Sequence, residues 1–311
     1  MIKVDLITGF LGSGKTMFIK RYAKRLIDSG LKVGILENDY GAVNVDMMLL
    51  RELEGDNCGL EMVAGACDRD CHKRRFKTKL IAMGMSGYDR VLIEPSGIFD
   101  VDEYFDVLYE EPLDRWYEAG NVIAVVDARF EGKLSETSEY LLASQTARAG
   151  KIILSKTQFA SDSDISNTIA HLNSALKGVQ CKRRIGRPDV ISKSWDELED
   201  GDFAEILNCG YVNEDFVKRL ADNDNTYKSL YFMDVSITAD RLKAVVSRLV
   251  SGEFGSVFRV KGFIRDGEGW LELNATQNEL TLKSAQVGQE IIIVIGESMD
   301  ENKIRELFGS D

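Results

Sequence analysis

Residues 9 to 16, GFLGSGKT, have the spacing G-x-x-x-x-G-K-[ST], which brings glycines, a lysine and a hydroxyl group together. Main-chain N–H groups of such a loop can surround phosphate oxygens, and a helix that begins there adds the positive end of its dipole. The loop follows an apolar run and precedes a helical pattern, as this chemistry requires. The sequence therefore predicts a nucleoside triphosphate site formed by Gly9, Gly12, Ser13, Gly14, Lys15 and Thr16.

Lys15 and Thr16 have distinct expected roles in this site. Lys15 would contact the β- and γ-phosphates, and the Thr16 hydroxyl would hold Mg²⁺. Glu94 ends the apolar run RVLIE, which places a carboxylate near that ion. Gly97 follows three residues later, where its N–H could meet a γ-phosphate. We therefore assign Lys15 and Glu94 to the phosphate chemistry and expect nucleotide hydrolysis.

Other acids follow neighbouring apolar runs. In ILENDYG, Glu37 is a further candidate Mg²⁺ ligand and Asp39 is a candidate catalytic carboxylate. Asp127, in VVDAR, is a weaker candidate of the same kind. The sequence does not identify the residue that positions water for hydrolysis.

A second chemically suited stretch is VAGACDRDCHKRR, residues 63 to 75. Cys67 and Cys71 are four residues apart, so on a helix they would share a face, and their charged spacer argues against burial. Together with Cys58 they would offer three thiolates, which suit Zn²⁺, Cu(I) or an iron–sulfur cluster. A Cys67–Cys71 redox pair and ordinary buried cysteines are the alternatives.

Five apolar runs in the first half predict the strands that position these groups: KVDLITG, KVGILEN, RVLIEPSG, NVIAVVDA and KIILSK. Their nearly continuous apolarity is typical of strands buried on both faces, and helix-length stretches separate several of them. We therefore predict an α/β fold of the P-loop NTPase type, with a mostly parallel, helix-flanked sheet. Ligands of such sheets bind beyond the carboxyl ends of the strands.

The sequence pattern changes near residue 226, so we expect a nucleotide-binding domain over 1–210 and a second domain over 226–311. A strand and a helix come first, and SVFRVKGFIRD, GWLELNAT and NELTLKSA then predict a meander. A last strand and helix follow. The second domain is therefore predicted to be small and of the α+β class.

The formal net charge of −12 excludes some partners. An acidic chain lacks the basic surface by which proteins bind nucleic acids or anionic membranes. The chain has no apolar run near the roughly 20 residues that cross a bilayer, and no signal-peptide pattern. Its five cysteines show no disulfide framework, which fits a reducing compartment. We expect a cytoplasmic protein without nucleic-acid or membrane partners.

The motifs GFLGSGKT, ENDYGAVNVD, IEPSG and VVDA resemble, in order and spacing, those of the CobW/HypB/UreG metallochaperone GTPases, and the CobW-like branch above all. VFRVKGFIRDGEGWLELN is similar to that branch's C-terminal domain. The resemblance implies slow GTP hydrolysis coupled to delivering a metal, or to inserting a metal into a cofactor or client enzyme, and the thiolates would suit Zn²⁺ or another thiophilic metal. It also implies a client metalloenzyme or cofactor-synthesis protein as partner, and a dimer that forms with nucleotide bound.

Two motifs depart from that family. Its metal-binding Cys-x-Cys-Cys is replaced by CDRDC at 67–71, and its guanine-reading Asn-Lys-x-Asp is replaced by SKTQ at 155–158. Lys156 can still stack on a base. Gln158, however, offers a neutral acceptor, and hydrogen bonds to ionised groups are roughly twice as strong. ATP therefore stays an alternative to GTP.

Two further functions stay open. A small-molecule P-loop kinase would need a basic lid, for which CKRRIGR at 181–187 is the candidate. A nucleotide-dependent adaptor would activate a corrinoid or other metalloenzyme without carrying metal.

Overall fold

The computed structural model describes residues 1–38, 45–63, 65, 69–130, 134–218, 226–267, 269–286 and 288–309. Contacts divide the chain into two compact units, Met1–Leu220 and Ala221–Asp311. The first unit extends past residue 210, because the Val212 and Val217 amides donate to the carbonyls of Arg148 and Val179.

Seven strands form the sheet of the first unit: β1 (Ile2–Thr8), β2 (Val33–Asn38), β3 (Cys58–Val63), β4 (Arg90–Pro95), β5 (Tyr117–Asp127), β6 (Lys151–Ser155) and β7 (Val190–Ile191). Their order is β3-β2-β4-β1-β5-β6-β7, and every neighbouring pair is parallel. The predicted parallel α/β fold is confirmed. The five apolar runs did not include β3 and β7, which are an edge strand with half-exposed residues and a strand of two residues.

Helices connect these strands: α1 (Lys15–Asp28), α2 (Asp46–Leu50), α3 (Arg69–Gly84), α4 (Val101–Leu108), α5 (Leu113–Trp116), α6 (Glu136–Ala147), α7 (Asp162–Gly178) and α8 (Asp200–Leu207). Helix α1 packs on the sheet through Phe18, Ile19 and Leu26, which join a buried cluster with Ile7 and Ile35. Their helical spacing gives α1 one apolar face. This packing fixes the start of α1 at the end of β1.

A buried polar network crosses the middle of this sheet. The Asp5 carboxylate accepts from the Tyr22 hydroxyl at 2.7 Å and the Asn121 amide at 2.7 Å, and it pairs with the Arg90 guanidinium at 2.8 Å. The Asn121 side chain donates to the Tyr22 hydroxyl and accepts from the Gly210 amide. Burial raises the pKa of Asp5, and the charge of Arg90 opposes that rise. The network ties β1, α1, β4 and β5 together.

The second unit contains β8 (Tyr227–Met233), α9 (Ala239–Val250), β9 (Ser256–Asp266), β10 (Gly269–Thr276), β11 (Glu279–Ala285), β12 (Ile291–Glu297) and α10 (Glu301–Phe308). The strand order is β11-β10-β9-β12-β8, with antiparallel neighbours throughout. Both helices contribute to one apolar cluster with the sheet, through Leu242 and Ile304 against Phe232 and Val294. The α+β class predicted for this region is confirmed. Within the described ranges, no helix combines the length and the apolarity needed to cross a membrane.

Candidate functional site

The loop between β1 and α1 is folded around the side chain of Lys15. The Lys15 ammonium donates to the Gly9 carbonyl at 3.0 Å, and the Ser13 amide donates to the Phe10 carbonyl at 3.2 Å. Gly9 has a φ of 147°, and a Cβ there would lie 2.1 Å from the Val125 carbonyl oxygen. Only glycine therefore fits this turn. The result is a loop of main-chain amides at the amino end of α1, as the sequence predicts.

Thr16 and Glu94 meet because β1 and β4 are neighbouring parallel strands, whose carboxyl ends lie at the same edge of the sheet. The Thr16 hydroxyl donates to Glu94 Oε1 at 2.8 Å. Glu94 Oε2 is buried and has no hydrogen-bond partner among the described residues. Burial raises the pKa of the Glu94 carboxyl, and the nearby charge of Lys15 opposes that rise. A hydroxyl and an unpaired carboxylate oxygen are the hard donors that Mg²⁺ takes, so these residues fit the ion.

Glu37 and Asp46 extend this acidic group. Glu37 lies beside Glu94 in the pairing of β2 with β4 and, like Lys15, opposes the rise in the pKa of the Glu94 carboxyl. Asp46, buried at the start of α2, adds a charge that raises the pKa of Glu94 further. Asp46 had no role predicted from the sequence, although it ends the motif ENDYGAVNVD. Asp39 lies outside the described residues.

No three or more His, Cys, Asp or Glu side chains in the described part of the chain are arranged to hold a metal ion by themselves. A cation beside Thr16 and Glu94 would therefore take its remaining ligands from phosphate and water, as Mg²⁺ commonly does.

The loop after β4 touches the phosphate loop. A Cβ on Gly97 would lie 2.7 Å from the Leu11 amide nitrogen, so the two main chains are in direct contact. The Gln145 side chain donates to the Gly97 carbonyl at 3.0 Å and holds this contact from α6. The contact supports the expectation that Gly97 senses a γ-phosphate, which stays a prediction.

Lys156 and Gln158 follow β6, on the other side of the phosphate loop. The Lys156 ammonium pairs with Asp127 Oδ2 at 2.9 Å, and Lys156 has a φ of 58°. Such a φ is uncommon for a residue with a side chain and is found at functional sites. Asp127 is thus the partner of Lys156 rather than the Mg²⁺ ligand weighed from the sequence. Gln158 is exposed.

Trp195 is a residue near this site that sequence reasoning missed. Its indole N–H donates to the Leu154 carbonyl at 3.0 Å, and its ring lies 3.1 Å from the Cβ position of Gly14. It also contacts Phe18, with ring centroids 5.8 Å apart. The indole therefore lies between the end of β6 and the start of α1. The sequence carries no signal of this, because the position follows only from the place of β7 in the sheet.

The three candidate metal-binding cysteines do not form one described group. Cys58 begins β3 and is 2% exposed in the apolar cluster with Ile35 and Leu50. Burial, with a contribution from Glu54, raises the pKa of its thiol to about 11. Cys58 therefore lies in the apolar core at the amino end of β3, and its place in the metal set stays a prediction.

Cys71 lies beyond the opposite end of β3, which a strand of this length carries about 16 Å from Cys58. Cys71 is half-buried in the first turn of α3 and lines a cavity next to Val63. Cys67 lies outside the described residues, so the Cys67–Cys71 site stays a prediction. His72, the next residue, is buried.

The basic run CKRRIGR also has a structural role. Arg183 is buried and donates to the carbonyls of Thr146, Ala147 and Ala149 at 2.8, 3.0 and 2.6 Å. These carbonyls lie at the end of α6, where helical partners run out. Burial lowers the pKa of Arg183. Arg183 therefore caps a helix. It is not available for the basic lid that a small-molecule kinase would need.

Comparison with family models gives two matches. The nucleotide-binding domain of the CobW/HypB/UreG family matches residues 3–185. The C-terminal domain of cobalamin synthesis protein CobW matches residues 230–310.

The individual relatives have low sequence identity to this chain. The chain is 28% identical over 287 residues to the zinc chaperone YjiA of Escherichia coli strain K12, which covers 86% of this chain and 83% of that protein. It is 24% identical over 204 residues to the zinc-regulated GTPase metalloprotein activator 1 of Schizosaccharomyces pombe, covering 63% and 49%. A crystal structure of Zn(II)-bound YjiA GTPase from E. coli aligns at 19% identity over 99% of this chain and 98% of that one, with a TM-score of 0.37. The strand order above, rather than this superposition, defines the fold.

Proposed function

The chain belongs to the CobW/HypB/UreG family, and on that premise we propose that it is a Mg²⁺-dependent GTPase that delivers zinc or another thiophilic metal to a client. The client would be a metalloenzyme or a cofactor-synthesis protein. The observation that carries the nucleotide half is the 2.8 Å bond between Thr16 and Glu94 beside the loop that encloses Lys15. The relatives named as zinc chaperones support the metal half.

The described residues divide the work of phosphate binding. The Lys15 ammonium would exchange the Gly9 carbonyl for β- and γ-phosphate oxygens and offset charge there during hydrolysis. Thr16 and Glu94 would orient Mg²⁺, which when bound offsets charge on the same oxygens. Gly97 would offer its N–H to the γ-phosphate from the loop after β4. Asp39, the residue after β2, stays a candidate catalytic carboxylate.

Guanine is the base we propose, with adenine as the alternative. The Asp127 carboxylate holds the Lys156 ammonium, and the Trp195 indole contributes a flat apolar surface near Gly14. Relatives named as GTPases support GTP. Competition by unlabelled GTP and ATP against a fluorescent GTP analogue decides the point, and equal competition would contradict the choice of guanine.

We propose that the cargo metal binds Cys71 together with Cys67. Strand β2 carries Glu37 at its end and pairs with β3, which leads toward α3 and Cys71. Loss of the γ-phosphate at Gly97 or of Mg²⁺ at Glu94 could thus alter the thiol site. Metal affinity should then differ between GTP- and GDP-bound protein, with a reciprocal effect on nucleotide affinity.

A metal titration of reduced protein, purified without oxygen, tests the proposal. Zn²⁺ and Co²⁺ are titrated into wild type and into Cys67→Ala/Cys71→Ala, each with a GTP analogue, with GDP and without nucleotide. Cys209→Ala is the matched control, because burial raises the pKa of that thiol to about 12 and we place no metal there.

We expect tight binding in wild type and in the control, a shift with the nucleotide, and loss of binding in the double variant. Equal weak binding in all three proteins would remove the cargo and leave a nucleotide-dependent adaptor. Equal affinity in the GTP and GDP states would remove only the coupling.

A further inference from the structure

The strand β3 is the outer edge of the seven-stranded sheet, and β2 is its one neighbour among the described strands. The Val33 amide donates to the Asn57 carbonyl, and Val33 is in register with Cys58. In a parallel pair this pattern turns the main-chain groups of odd-numbered β3 residues toward β2. The main-chain N–H and C=O groups of Leu60 and Met62 therefore point to the open side. No partner for these groups lies in the described part of the chain, so they form an edge of the kind to which another chain can add.

A cavity of about 700 Å³ lies along this edge, between β3 and α3. Met62 and Val63 of β3 line it together with Cys71, Arg74 and Ala82 of α3. Successive strand residues point to opposite faces, so Met62 and Val63 can both line one cavity only where it passes around the edge of the sheet. Met62 is 40% exposed there. We call this cavity the β3–α3 groove.

The cations of α3 give the groove its charge. Lys73 and Lys77 both pair with Glu110 at 2.8 Å. Lys79, which lines the groove, pairs with Glu61 of β3 at 2.8 Å. Arg74 also lines the groove, and its exposed guanidinium has no carboxylate partner among the described residues. The guanidinium of Arg74 can therefore pair with a carboxylate from outside the chain.

We propose that the β3–α3 groove binds an extended acidic segment of a partner protein, which adds to β3 as a further strand. Its main chain would pair with Leu60 and Met62, as in other strand additions at sheet edges. A carboxylate of the segment would meet Arg74, which makes charge-assisted, often bidentate bonds. Alternate apolar side chains of the segment would pack on Met62 and Ala82.

A protein segment fits the groove better than a nucleic acid. Nucleic-acid affinity comes from several cations along a basic surface, whereas the lysines of α3 named above are paired with Glu110 and Glu61 and the chain is acidic. Docking of the segment requires neither nucleotide nor metal. That the docked segment would lie beside cargo on Cys71 is a consequence that rests on the proposed function.

A panel of fluorescein-labelled seven-residue peptides tests the docking by fluorescence anisotropy. Each peptide carries Glu or Asp at alternate positions and Val, Ile or Thr between them. One control series carries Lys in place of the acids, and a second has N-methylated amides on the edge that would face β3. The protein variants are Arg74→Glu and Lys24→Glu, which makes the same charge change at an exposed position on α1.

We expect acidic peptides to bind wild type and Lys24→Glu equally, and Arg74→Glu about tenfold or more weakly, as loss of a charge-assisted hydrogen bond implies. The Lys peptides and the N-methylated peptides should not bind. No binding by any acidic peptide, or equal binding by Arg74→Glu, overturns the proposal. Equal binding of the N-methylated series overturns the strand addition.

Nucleotide hydrolysis by each variant separates this proposal from the function proposed above. Arg74→Glu should hydrolyse GTP as wild type does, which shows that the variant is folded, and Arg74→Gln replaces it if it is not. If the wild-type protein does not hydrolyse GTP, the GTPase proposal is contradicted. The peptide-binding result is then still valid.

Discussion

Two buried polar clusters lie on the same parallel sheet, and they differ in how completely their atoms are paired. Around Asp5, both carboxylate oxygens have partners from Tyr22, Arg90 and Asn121. At the carboxyl ends of the strands, Glu94 Oε2 is buried and has no partner within the described ranges. Completely paired networks specify a fold, whereas an unpaired buried group needs another explanation, such as a ligand. The comparison separates the cluster that holds the sheet from the cluster that we propose binds nucleotide and Mg²⁺.

Substitution of Asp5 should give the largest effect on stability. Asp5→Ala should lower the free energy of unfolding by about 3–5 kcal/mol, because Arg90 would keep a buried charge without its partner. Chemical denaturation measures the loss, and nucleotide affinity per folded molecule should not change. Asp5→Ala/Arg90→Leu should recover part of the stability. An unchanged free energy of unfolding in Asp5→Ala would contradict the structural role of this cluster.

Substitution of Lys15 should give the reverse pattern. Lys15→Ala should reduce hydrolysis by about 10²–10³-fold, the range for removing one group that stabilises transition-state charge. Its free energy of unfolding should remain close to wild type. Phosphate release and denaturation on the same sample show both. Hydrolysis at the wild-type rate would remove Lys15 from the site.

Glu94→Gln sharpens the comparison within the binding cluster. The glutamine keeps an acceptor for Thr16 and removes a carboxyl group whose pKa is raised by burial. Hydrolysis should fall about 100-fold, and more Mg²⁺ should be needed for half-maximal activity. Stability should hold or rise. A large loss of stability would show that Glu94 belongs with the structural cluster instead.

The thiols extend the comparison to the two ends of β3. At pH 8 a thiol of pKa about 11 is ionised to about one part in a thousand, so iodoacetamide should spare Cys58 and, more strongly, Cys209, whose pKa is about 12. Half-buried Cys71 should be alkylated first. Because both pKa values are raised on folding, the stability they contribute is present at neutral pH and lost as pH rises through about 11 to 12. Mass spectrometry of the labelled protein shows the order in which the cysteines are alkylated. Labelling of Cys58 before Cys71 would contradict the prediction.

Trp195→Phe should have the smallest effect on stability and nucleotide affinity. The indole N–H of Trp195 is already bonded to the Leu154 carbonyl, so that hydrogen bond is what the substitution removes. Losing the hydrogen bond to Leu154 should cost about 1 kcal/mol of stability. Nucleotide affinity should change less than tenfold. The change in tryptophan fluorescence on nucleotide binding should disappear, although Trp116 and Trp270 remain. A fluorescence change that persists would show that Trp195 does not report on the site.

The sequence predicts best what is local or repeated. The phosphate loop is contained in eight residues, and each chemical requirement is visible in its letters. The pairing of Thr16 with Glu94 spans 78 positions, yet it was predictable because both follow buried strands of a parallel sheet. The strands of the second unit were predictable because their apolar runs and turns alternate regularly.

The remaining features depend on direction and topology. Cys58 is near Cys71 along the chain, but an extended strand carries them apart. Arg183 lies in a run of basic residues that is typical of a surface patch. The sequence does not show that carbonyls at the end of α6, which lack helical partners, lie beside it. The edge strand β3 lacks the continuous apolarity by which buried strands are recognised, because its outer residues face solvent.

The row of residues Glu94, Glu37 and Met62 crosses three neighbouring strands in register. At about 4.8 Å between strands, Met62 is only about 10 Å from the proposed cation position. This distance is close to the Debye length of about 8 Å at physiological salt, and the path runs through protein, where screening is weaker. The charge lost when phosphate leaves should therefore change the electrostatic potential at the groove. The affinity of a docked acidic segment would then depend on the hydrolysis state without a conformational change. Peptide affinities measured with GDP and with a GTP analogue would reveal that field.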